Sequence, residues 1–301
     1  MRRTFVKKEG VALASLARYL LGEQCGNRLK TIDELAAECR FSVGLIQAAL
    51  KTLEHSGAIV IERRGRNGSY LVSADTTALF NHLDLHNIVC AMPLPYTRLY
   101  EGLASGLKAQ FQDMPFYYAH MRGADVRVEC LLNGVYDMAV VSKLSARRYL
   151  EAGNVTIALE LGPHSYVSEH RLICRQGERA SIRRVGLDSR STDQKIMTEA
   201  YFQNQDIELV NVSYNECLSH IARGEIDAAI WTVGSETQLA NQGLASSALE
   251  DNARFIEATQ AVILTRAEDY PVIRLIQMRV NQQALLAHQQ RVVNGLEDPS
   301  Y

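Results

Sequence analysis

The sequence predicts an α/β protein with two similar lobes, preceded by a small domain of three helices and a β-hairpin. Residues 26–72 give helix, turn, helix and hairpin signals in close succession. From about residue 85 onward, strand-like and helix-like segments alternate, which is typical of an α/β fold. A pattern of 11 residues occurs twice in this second part and indicates the two lobes.

The N-terminal domain begins with two predicted helices. Apolar residues share one face of the first, Gly10–Gly22. Thr31 and Glu34 have the spacing of a capping box, which predicts that a short second helix starts at Ile32 and ends near residues 40–41.

The third predicted helix is Val43–His55, with Ser42 as its N-cap. Its buried stripe is expected to consist of Val43, Ile46, Leu50 and Leu53. The opposite face is small, polar and weakly basic, as a recognition helix in the DNA major groove must be. That face consists of Gly44, Gln47, Ala48 and Lys51. Gln47 can pair with an adenine edge, whereas Lys51 suits a phosphate.

A hairpin with a basic tip follows. Strands are predicted over Ala58–Glu62 and Ser69–Val72, and Arg63–Gly68 between them holds three arginines and two glycines. Such a tip suits contacts with phosphates or the minor groove. A charged hairpin tip alone is usually only solvated, and a helix pair alone is a common packing unit. Their order and spacing together predict a winged helix-turn-helix.

This segment resembles the GntR-type winged helix. The matches to its entry pattern are Gly26, Leu29, Thr31, Glu34, Leu35 and Ala36, and those to its recognition helix are Ala49, Leu50, Leu53 and Gly57. Lys30 replaces the usual proline and offers another phosphate contact, while Gln47 replaces an arginine that reads guanine, so a different operator is implied. The predicted DNA-binding residues are Lys30, Thr31, Ser42, Gly44, Gln47, Lys51, Arg63, Arg64, Arg66 and Asn67.

Charge supports an anionic partner for this domain. Residues 1–80 carry 12 Lys and Arg against 8 Asp and Glu, whereas the remaining residues carry 20 against 26. A basic head on an acidic body suits double-stranded operator DNA.

Other classes of protein are not expected. The segment MRRTFVKKEG has no apolar stretch behind its charges, and no run of about 18 apolar residues occurs, so neither a signal peptide nor a membrane span is predicted. The six scattered cysteines suit free thiols in a cytoplasmic protein. His164 and His170 lack evident ligand partners, and no acylation, Walker or dinucleotide motif is present, so we expect no metal, no cofactor and no enzyme.

The body should contain largely parallel sheets. Its predicted strands are Ile88–Met92, Pro115–His120, Tyr136–Val141, Arg184–Leu187, Ile207–Val212 and Ile226–Trp231. Its predicted helices are Tyr96–Gln110, Asp125–Asn133, Thr192–Gln203 and Tyr214–Arg223, with a long crossing region before residue 184. Residues 75–86 suit a short linking helix. Val272–Asn294 reads as one long helix that packs either on a lobe or on a second subunit.

The repeated pattern reads LLNGVYDMAVV at residues 131–141 and IARGEIDAAIW at residues 221–231. In each copy a helix should end at a glycine, Gly134 or Gly224, in a left-handed turn. An aspartate, Asp137 or Asp227, should then introduce a buried strand. Two such units 90 residues apart indicate two similar lobes, although one short repeat can also arise by chance.

This pattern is similar to that of periplasmic binding proteins and of the effector domains of LysR-type regulators. Together with the GntR-like head, it resembles the YhfZ family of transcriptional regulators over essentially the whole chain. The resemblance implies a two-lobed α/β body like a periplasmic binding protein, with an N-terminal winged helix-turn-helix. The predicted domains are residues 1–75, a linker at 76–86, and an effector-binding domain at 87–301.

In such a body the ligand should bind between the lobes, at the carboxyl ends of the strands. The candidate residues follow predicted strands or cap helices, although most caps do no more than cap. They are Tyr96, Thr97, Arg98, Ser142, Lys143, Ser189, Ser191, Thr192, Asp193, Trp231 and Thr232. Trp231 suits the protein core equally well.

The sequence therefore favours a homodimeric regulator that binds operator DNA and senses a small anionic metabolite. Two alternatives remain open. The body can be an enzyme or ligand carrier whose winged helix serves protein contacts, or it can have lost ligand binding and serve only dimerisation.

Overall fold

The computed structural model describes residues 7–83, 85, 87–112, 114–233, 236–249 and 252–300. The chain folds into two compact units. Unit 1 is Met1–His86 with Glu268–Met278, and unit 2 is Asn87–Ala267 with Arg279–Tyr301. The predicted domain 87–301 therefore differs from unit 2 by one internal segment. The predicted division near residue 75 stays a prediction.

Unit 1 begins with three helices: α1 (Lys8–Gly22), α2 (Ile32–Cys39) and α3 (Val43–His55). The capping box of α2 is present, since the Glu34 amide donates to Thr31 Oγ1 (3.3 Å) and the Thr31 amide donates to Glu34 Oε2 (2.7 Å). Ser42 caps α3 as predicted, because its Oγ accepts from the Leu45 amide. α1 starts two residues earlier than the sequence indicated.

The three helices share one apolar core, in which Leu16, Leu35, Ile46 and Leu53 are fully or almost fully buried. The predicted stripe of α3 is wrong at Val43, which is 41% exposed. The buried face of α3 begins only at its second turn, with Ile46, and Ala49 completes the stripe instead.

The hairpin consists of antiparallel strands β1 (Ile59–Arg63) and β2 (Ser69–Ala74). Its tip is a short 3₁₀ turn between them, where Gly68 has φ +90°. A short helix, α4 (Thr76–Phe80), follows and is capped by Asp75. The predicted linking helix over residues 75–86 thus covers only these residues; Asp84 and His86 lie outside the described residues.

Unit 2 contains two five-stranded sheets, which we call lobe 1 and lobe 2. The chain builds most of lobe 1 first. Its elements are β3 (Ile88–Met92), α5 (Arg98–Ala109), β4 (Phe116–His120), α6 (Ala124–Leu132), β5 (Met138–Ser142), α7 (Lys143–Glu151) and β6 (Val155–Glu160). Buried, almost continuous apolar strands make β3 and β5 the centre of this lobe.

Lobe 2 follows. Its elements are β7 (His170–Arg175), β8 (Arg184–Leu187), α8 (Thr192–Tyr201), β9 (Glu208–Asn211), α9 (Cys217–Ala222), β10 (Ala228–Thr232), α10 (Glu236–Asn241) and β11 (Leu244–Ala248). The chain then returns through α11 (Ala253–Glu257) to β12 (Ala261–Arg266), which joins lobe 1. The strand orders are β4-β3-β5-β12-β6 and β11-β7-β10-β8-β9.

The prediction of largely parallel sheets is wrong. β3, β4 and β5 are parallel, as are β8, β9 and β10, but β12 pairs antiparallel with β5 and β6, and β7 pairs antiparallel with β10 and β11. The antiparallel strands are those next to the passages between the lobes. They include β6 and β7, which lie in the segment that was predicted only to cross between the lobes.

Several predicted boundaries also differ. Thr97 is the N-cap of α5, so Tyr96 and Thr97 precede the helix that was predicted to begin at Tyr96. Tyr214–Glu216 forms a 3₁₀ turn before α9 rather than the first turn of one longer helix. Both repeats behave as predicted, since Gly134 (φ +70°) and Gly224 (φ +73°) leave their helices in the left-handed region.

The C-terminal segment forms two helices, α12 (Tyr270–Arg279) and α13 (Gln282–Val293), so the prediction of one long helix is wrong. Asn281 ends the first by adopting an extended conformation, and it caps the second through the Ala284 amide (3.0 Å). α13 packs closely on α5 within unit 2. Most of α12 belongs to unit 1, where Arg274 Nε donates to the carbonyl of Leu21 in α1 (3.1 Å).

Candidate functional site

The exposed face of α3 is the first part of the candidate nucleic-acid interface. Gly44, Gln47, Ala48 and Lys51 are all exposed. Ser42 at its start is also exposed, but its Oγ accepts from the Leu45 amide. The face therefore offers one amide and one ammonium group on an otherwise small surface, which suits close approach to base edges.

Two predicted DNA-binding residues at the start of α2 already have protein partners. Lys30 Nζ lies 2.6 Å from Glu38 Oε1 and sits over the ring of Tyr19. Thr31 is held by Glu34 in the capping box, with its own hydroxyl 2.9 Å from Glu34 Oε2. To bind a phosphate, Lys30 must therefore break its ion pair with Glu38. That pair is exposed and contributes little to stability.

The hairpin tip presents fewer unpaired positive charges than its three arginines suggest. Arg63 makes two hydrogen bonds to Glu54 in α3 (2.9 and 2.6 Å). Arg64 pairs with Glu62 (2.7 Å) and lies 4.3 Å from the centre of the Tyr70 ring. Arg66 and Asn67, at the turn itself, are exposed. Among the described arginines of the tip, Arg66 is thus the one that forms no ion pair with a carboxylate.

Arg28 is a basic residue that the sequence analysis missed. Its backbone forms an isolated antiparallel bridge with Tyr70 of β2. Its side chain lies so close to the hairpin tip that a Cβ built on Gly68 would be 2.6 Å from Arg28 Nε. No local pattern points to it, because only the tertiary pairing brings the segment before α2 to the hairpin.

Between the two lobes of unit 2 lies a cavity of about 780 Å³. Eight of the predicted effector residues line it: Tyr96, Thr97, Arg98, Ser191, Thr192, Asp193, Trp231 and Thr232. Three do not. Lys143 Nζ binds Glu160 (2.6 Å), the Ser189 amide donates to Asn211, and Ser142 is fully buried beneath the cavity wall.

Asp193 is the acidic centre of the cavity. Ser142 and Ser145, in lobe 1, both donate to its Oδ1 atom, at 2.7 and 2.6 Å. Burial raises the pKa of this carboxyl above its usual value, although the two hydroxyls and the charge of Arg127 act in the opposite direction. Ser142 therefore contributes to the cleft through Asp193 rather than by touching a ligand.

Arg127 is the basic centre, and the sequence analysis missed it. It is 3% exposed, yet it lines the cavity. Nε donates to the carbonyl of Val140 (3.0 Å), Nη1 to that of Met121 (2.8 Å) and Nη2 to the hydroxyl of Tyr166 (3.0 Å). These acceptors are neutral, so no carboxylate of the described residues forms an ion pair with this buried cation.

Further polar interactions join the two lobes at the cavity rim. Arg122, which follows β4, forms an ion pair with Asp188, which follows β8. Asp188 also accepts from the backbone amides of Arg190 and Tyr214. Thr192 Oγ1 donates to Asp125 in α6 (2.9 Å). These interactions connect the two lobes across the cavity.

Aromatic side chains also line the cavity, and four of them form two pairs. Tyr214 stacks on Trp231 with ring centroids 3.6 Å apart, and Tyr100 lies 5.0 Å from Tyr166. Burial raises the pKa of Tyr214 to about 12 and lowers that of His170 to about 4, so both are neutral near pH 7. Charge in the cavity is thus supplied by arginines and aspartates. The arginines are Arg98, Arg122, Arg127 and Arg190, and the aspartates are Asp188 and Asp193.

Neither a metal site nor a membrane span is found in the described part of the chain. No group of three or more His, Cys, Asp or Glu residues there could hold a metal ion. No helix of those residues is long and apolar enough to cross a membrane.

Similarity to known proteins extends over both parts of the chain. Residues 75–301 match a family model described as YhfZ C-terminal domain, and residues 24–71 match one described as helix-turn-helix domain. The chain belongs to the YhfZ family. The uncharacterized protein YhfZ of Escherichia coli (strain K12) is 67% identical over 301 residues, which is 100% of both chains.

Solved structures agree on the fold. The crystal structure of YhfZ from Shigella flexneri is 63% identical, has a TM-score of 0.68, and aligns over 74% of this chain and 97% of that one. The periplasmic domain of BvgS from B. pertussis is 14% identical, has a TM-score of 0.50, and aligns over 89% of this chain and 51% of that one. The coarse prediction of an N-terminal helix-turn-helix domain followed by an α/β domain is confirmed.

Proposed function

We propose that this YhfZ-family protein is a DNA-binding transcriptional regulator whose second unit senses a small anionic metabolite. The helix-turn-helix domain supports the DNA-binding part, and the fold of unit 2 supports ligand binding. Arg127 carries the proposal of an anion. A buried guanidinium without a paired carboxylate is unfavourable unless another anion faces it, and Arg127 lies in the wall of the cavity.

The first step of the mechanism is binding of operator DNA by a homodimer. α3 would enter the major groove, with Gln47 at a base edge, while Lys51, Arg66 and the hairpin contact phosphates. This is GntR-like docking with a different base preference, because Gln47 replaces an arginine. Half-sites would lie about 34–36 Å apart, or a multiple of that distance, to be read by two subunits.

The second step is coupling to the ligand. The ligand would favour the closed lobes, which Arg122–Asp188 and Thr192–Asp125 already hold together. Closure would change the spacing of the paired DNA-binding domains. A coupling of about 1–3 kcal/mol is ordinary for such a switch and would change DNA affinity by about 5–150-fold.

The experiment is a measurement of DNA affinity with and without ligand. Genomic fragments retained by the full-length protein would be titrated by fluorescence anisotropy at several salt concentrations, with and without small carboxylates and phosphates. We expect a strong salt dependence and a ligand-dependent shift in affinity. Arg127→Lys should abolish the shift and leave DNA binding intact, whereas the control Arg183→Lys, outside the cavity lining, should behave as wild type.

Two results would contradict the proposal. Ligand binding or turnover without any DNA affinity would favour an enzyme or carrier that uses the winged helix for protein contacts. DNA binding that no ligand alters would favour a body that serves only dimerisation.

A further inference from the structure

Asp193 offers one oxygen to the cavity. Both serine hydroxyls bind Oδ1, and none of the hydrogen bonds among the described residues involves Oδ2. The residue is the second of α8, a helix of 10 residues, and it lines the cavity. The two serines fix the carboxylate so that its second oxygen remains available to a donor that enters the cleft.

Arg127 offers two donors at the same place. A guanidinium has five N–H groups, and three of its hydrogen bonds go to Val140, Met121 and Tyr166. Arg127 donates to the carbonyl of Val140 and Asp193 accepts from Ser142, two residues further along β5, yet no ion pair joins Arg127 and Asp193 within 4.0 Å among the described residues. The cavity thus contains a cation and an anion that lie near each other but do not form an ion pair.

At Arg127 and Asp193, this arrangement favours a ligand that carries both charges over one that carries a single charge. A ligand with only a carboxylate or phosphate would satisfy Arg127 but would meet the negative charge of Asp193. A ligand with only an amine would satisfy Asp193 and leave Arg127 uncompensated. A ligand whose ammonium and carboxylate are attached to the same carbon can satisfy both groups, because both are held at neighbouring positions of β5.

We propose that the ligand of the cleft is a free α-amino acid, whose carboxylate binds Arg127 and whose ammonium binds Asp193 Oδ2. The inference rests on the proposed function and narrows the class of its effector, because the anionic group that Arg127 binds becomes the α-carboxylate of a zwitterion. The aromatic wall, with the Tyr214–Trp231 stack, favours a large apolar or aromatic side chain.

The test uses calorimetric titration and thermal shift of the full-length protein with four matched sets of compounds. These are the L-α-amino acids, the same carbon skeletons without the ammonium, the corresponding amines without the carboxylate, and inorganic phosphate. At least one large apolar or aromatic amino acid should bind and raise the midpoint of unfolding. Its deaminated and decarboxylated analogues should bind at least about tenfold more weakly, because each loses a hydrogen bond to a charged group.

Asp193→Asn tests the proposed ammonium contact independently of the carboxylate contact. Asparagine can still accept from Ser142 and Ser145, so the fold should be kept, but it cannot pair with an ammonium. We expect the amino acid to lose at least about tenfold in affinity while the deaminated analogue loses none. Asp206→Asn is the matched control, since Asp206 is an exposed carboxylate of the same lobe that does not line the cavity.

The outcomes distinguish this inference from the proposed function. If deaminated acids or phosphate bind as well as amino acids, and in an Arg127-dependent way, the amino-acid inference is overturned and anion sensing stands. If Asp193→Asn leaves amino-acid binding unchanged, the assigned role of Asp193 is wrong. If no compound of any set binds, both metabolite sensing and its amino-acid form fail.

Discussion

Asp227 occupies in lobe 2 the position that Asp137 occupies in lobe 1. The Asp137 amide donates to the carbonyl of Val89, and the Val89 amide donates to Asp137 Oδ2 (2.8 Å). The Asp227 amide donates in the same way to the carbonyl of Arg184, and the Arg184 amide donates to Asp227 Oδ2 (2.8 Å). Each aspartate of the sequence repeat therefore holds the turn that precedes its own strand next to the start of the neighbouring parallel strand.

The first prediction concerns Asp227. Burial alone would raise the pKa of this carboxyl, but donors from Arg184, Arg175 and Arg183 lower it far below its usual value. The native state thus favours the charged form of Asp227. The contribution of this carboxylate to stability is fully present above the unfolded pKa and is lost as pH falls through the folded pKa. Asp227→Asn should reduce the free energy of unfolding by about 1.5–3 kcal/mol at pH 7.

The measurement is urea unfolding at pH 7 and at about pH 3, below the unfolded pKa of an aspartate. The difference between wild type and Asp227→Asn should shrink as pH falls below about 4. Asp206→Asn, an exposed carboxylate of the same lobe, should have little effect at either pH. An equal loss for both variants would mean that the hydrogen bonds to Asp227 contribute little.

The second prediction concerns the hairpin tip. Arg66→Ala should weaken DNA binding, because Arg66 needs to break no ion pair before it binds a phosphate. The slope of log affinity against log salt should become shallower by about 0.9, because one phosphate fewer is neutralised. Arg63→Ala should change the slope less, since Glu54 already holds Arg63. Arg18→Ala, exposed on α1, is the control; a slope that changes equally in all three variants would contradict DNA binding by the tip.

The third prediction concerns the hydrogen bond between the lobes. Thr192→Val removes the bond to Asp125 while keeping a similar shape. Ligand affinity should fall about 2–12-fold, the equivalent of one net hydrogen bond of about 0.5–1.5 kcal/mol. Calorimetry with an identified ligand measures this, and Thr156→Val, a strand position outside the cavity lining, is the control. Unchanged affinity would show that Thr192 does not take part in closure.

The fourth prediction concerns the packing of α13 on α5. A Cβ at Gly102 would lie 3.0 Å from both Cα and the carbonyl oxygen of Gln289, and backbone atoms cannot move aside cheaply. Gly102→Ala should therefore destabilise the protein by about 1–3 kcal/mol in urea unfolding. Gly44→Ala, a helical glycine with nothing near its Cβ position, should be neutral or slightly stabilising. If Gly102→Ala were more stable than the wild type, α13 could move away from α5 without loss of stability.

The sequence was most informative where structure is set locally. Thr31, Glu34 and Ser42 fix the starts of two helices through bonds to residues three positions away, so their pattern could be recognised directly. Gly134 and Gly224 likewise end helices by their own backbone conformation. These features were enough to predict the helix-turn-helix and the repeated unit of the body.

The parts that could not be predicted depend on distant residues. β6 and β7 were missed, and their neighbours in the sheets are β12, β10 and β11, which lie much later in the chain. Arg127 appeared to be one more polar residue of a helix, because nothing near it in sequence shows that its acceptors are Val140, Met121 and Tyr166. The neutralisation of Arg63 by Glu54 was hidden for the same reason.

The position of α12 limits how this protein can be dissected. Residues 1–86 are complete only with Glu268–Met278, and the polypeptide passes between the units three times. A fragment that stops near residue 75 would expose the surface of Gly22 on which Tyr270 packs. A fragment that begins near residue 87 would carry α12 without its neighbour α1. Neither unit can therefore be expressed intact as one contiguous fragment. A shortened protein should retain a tethered copy of α12 beside α1.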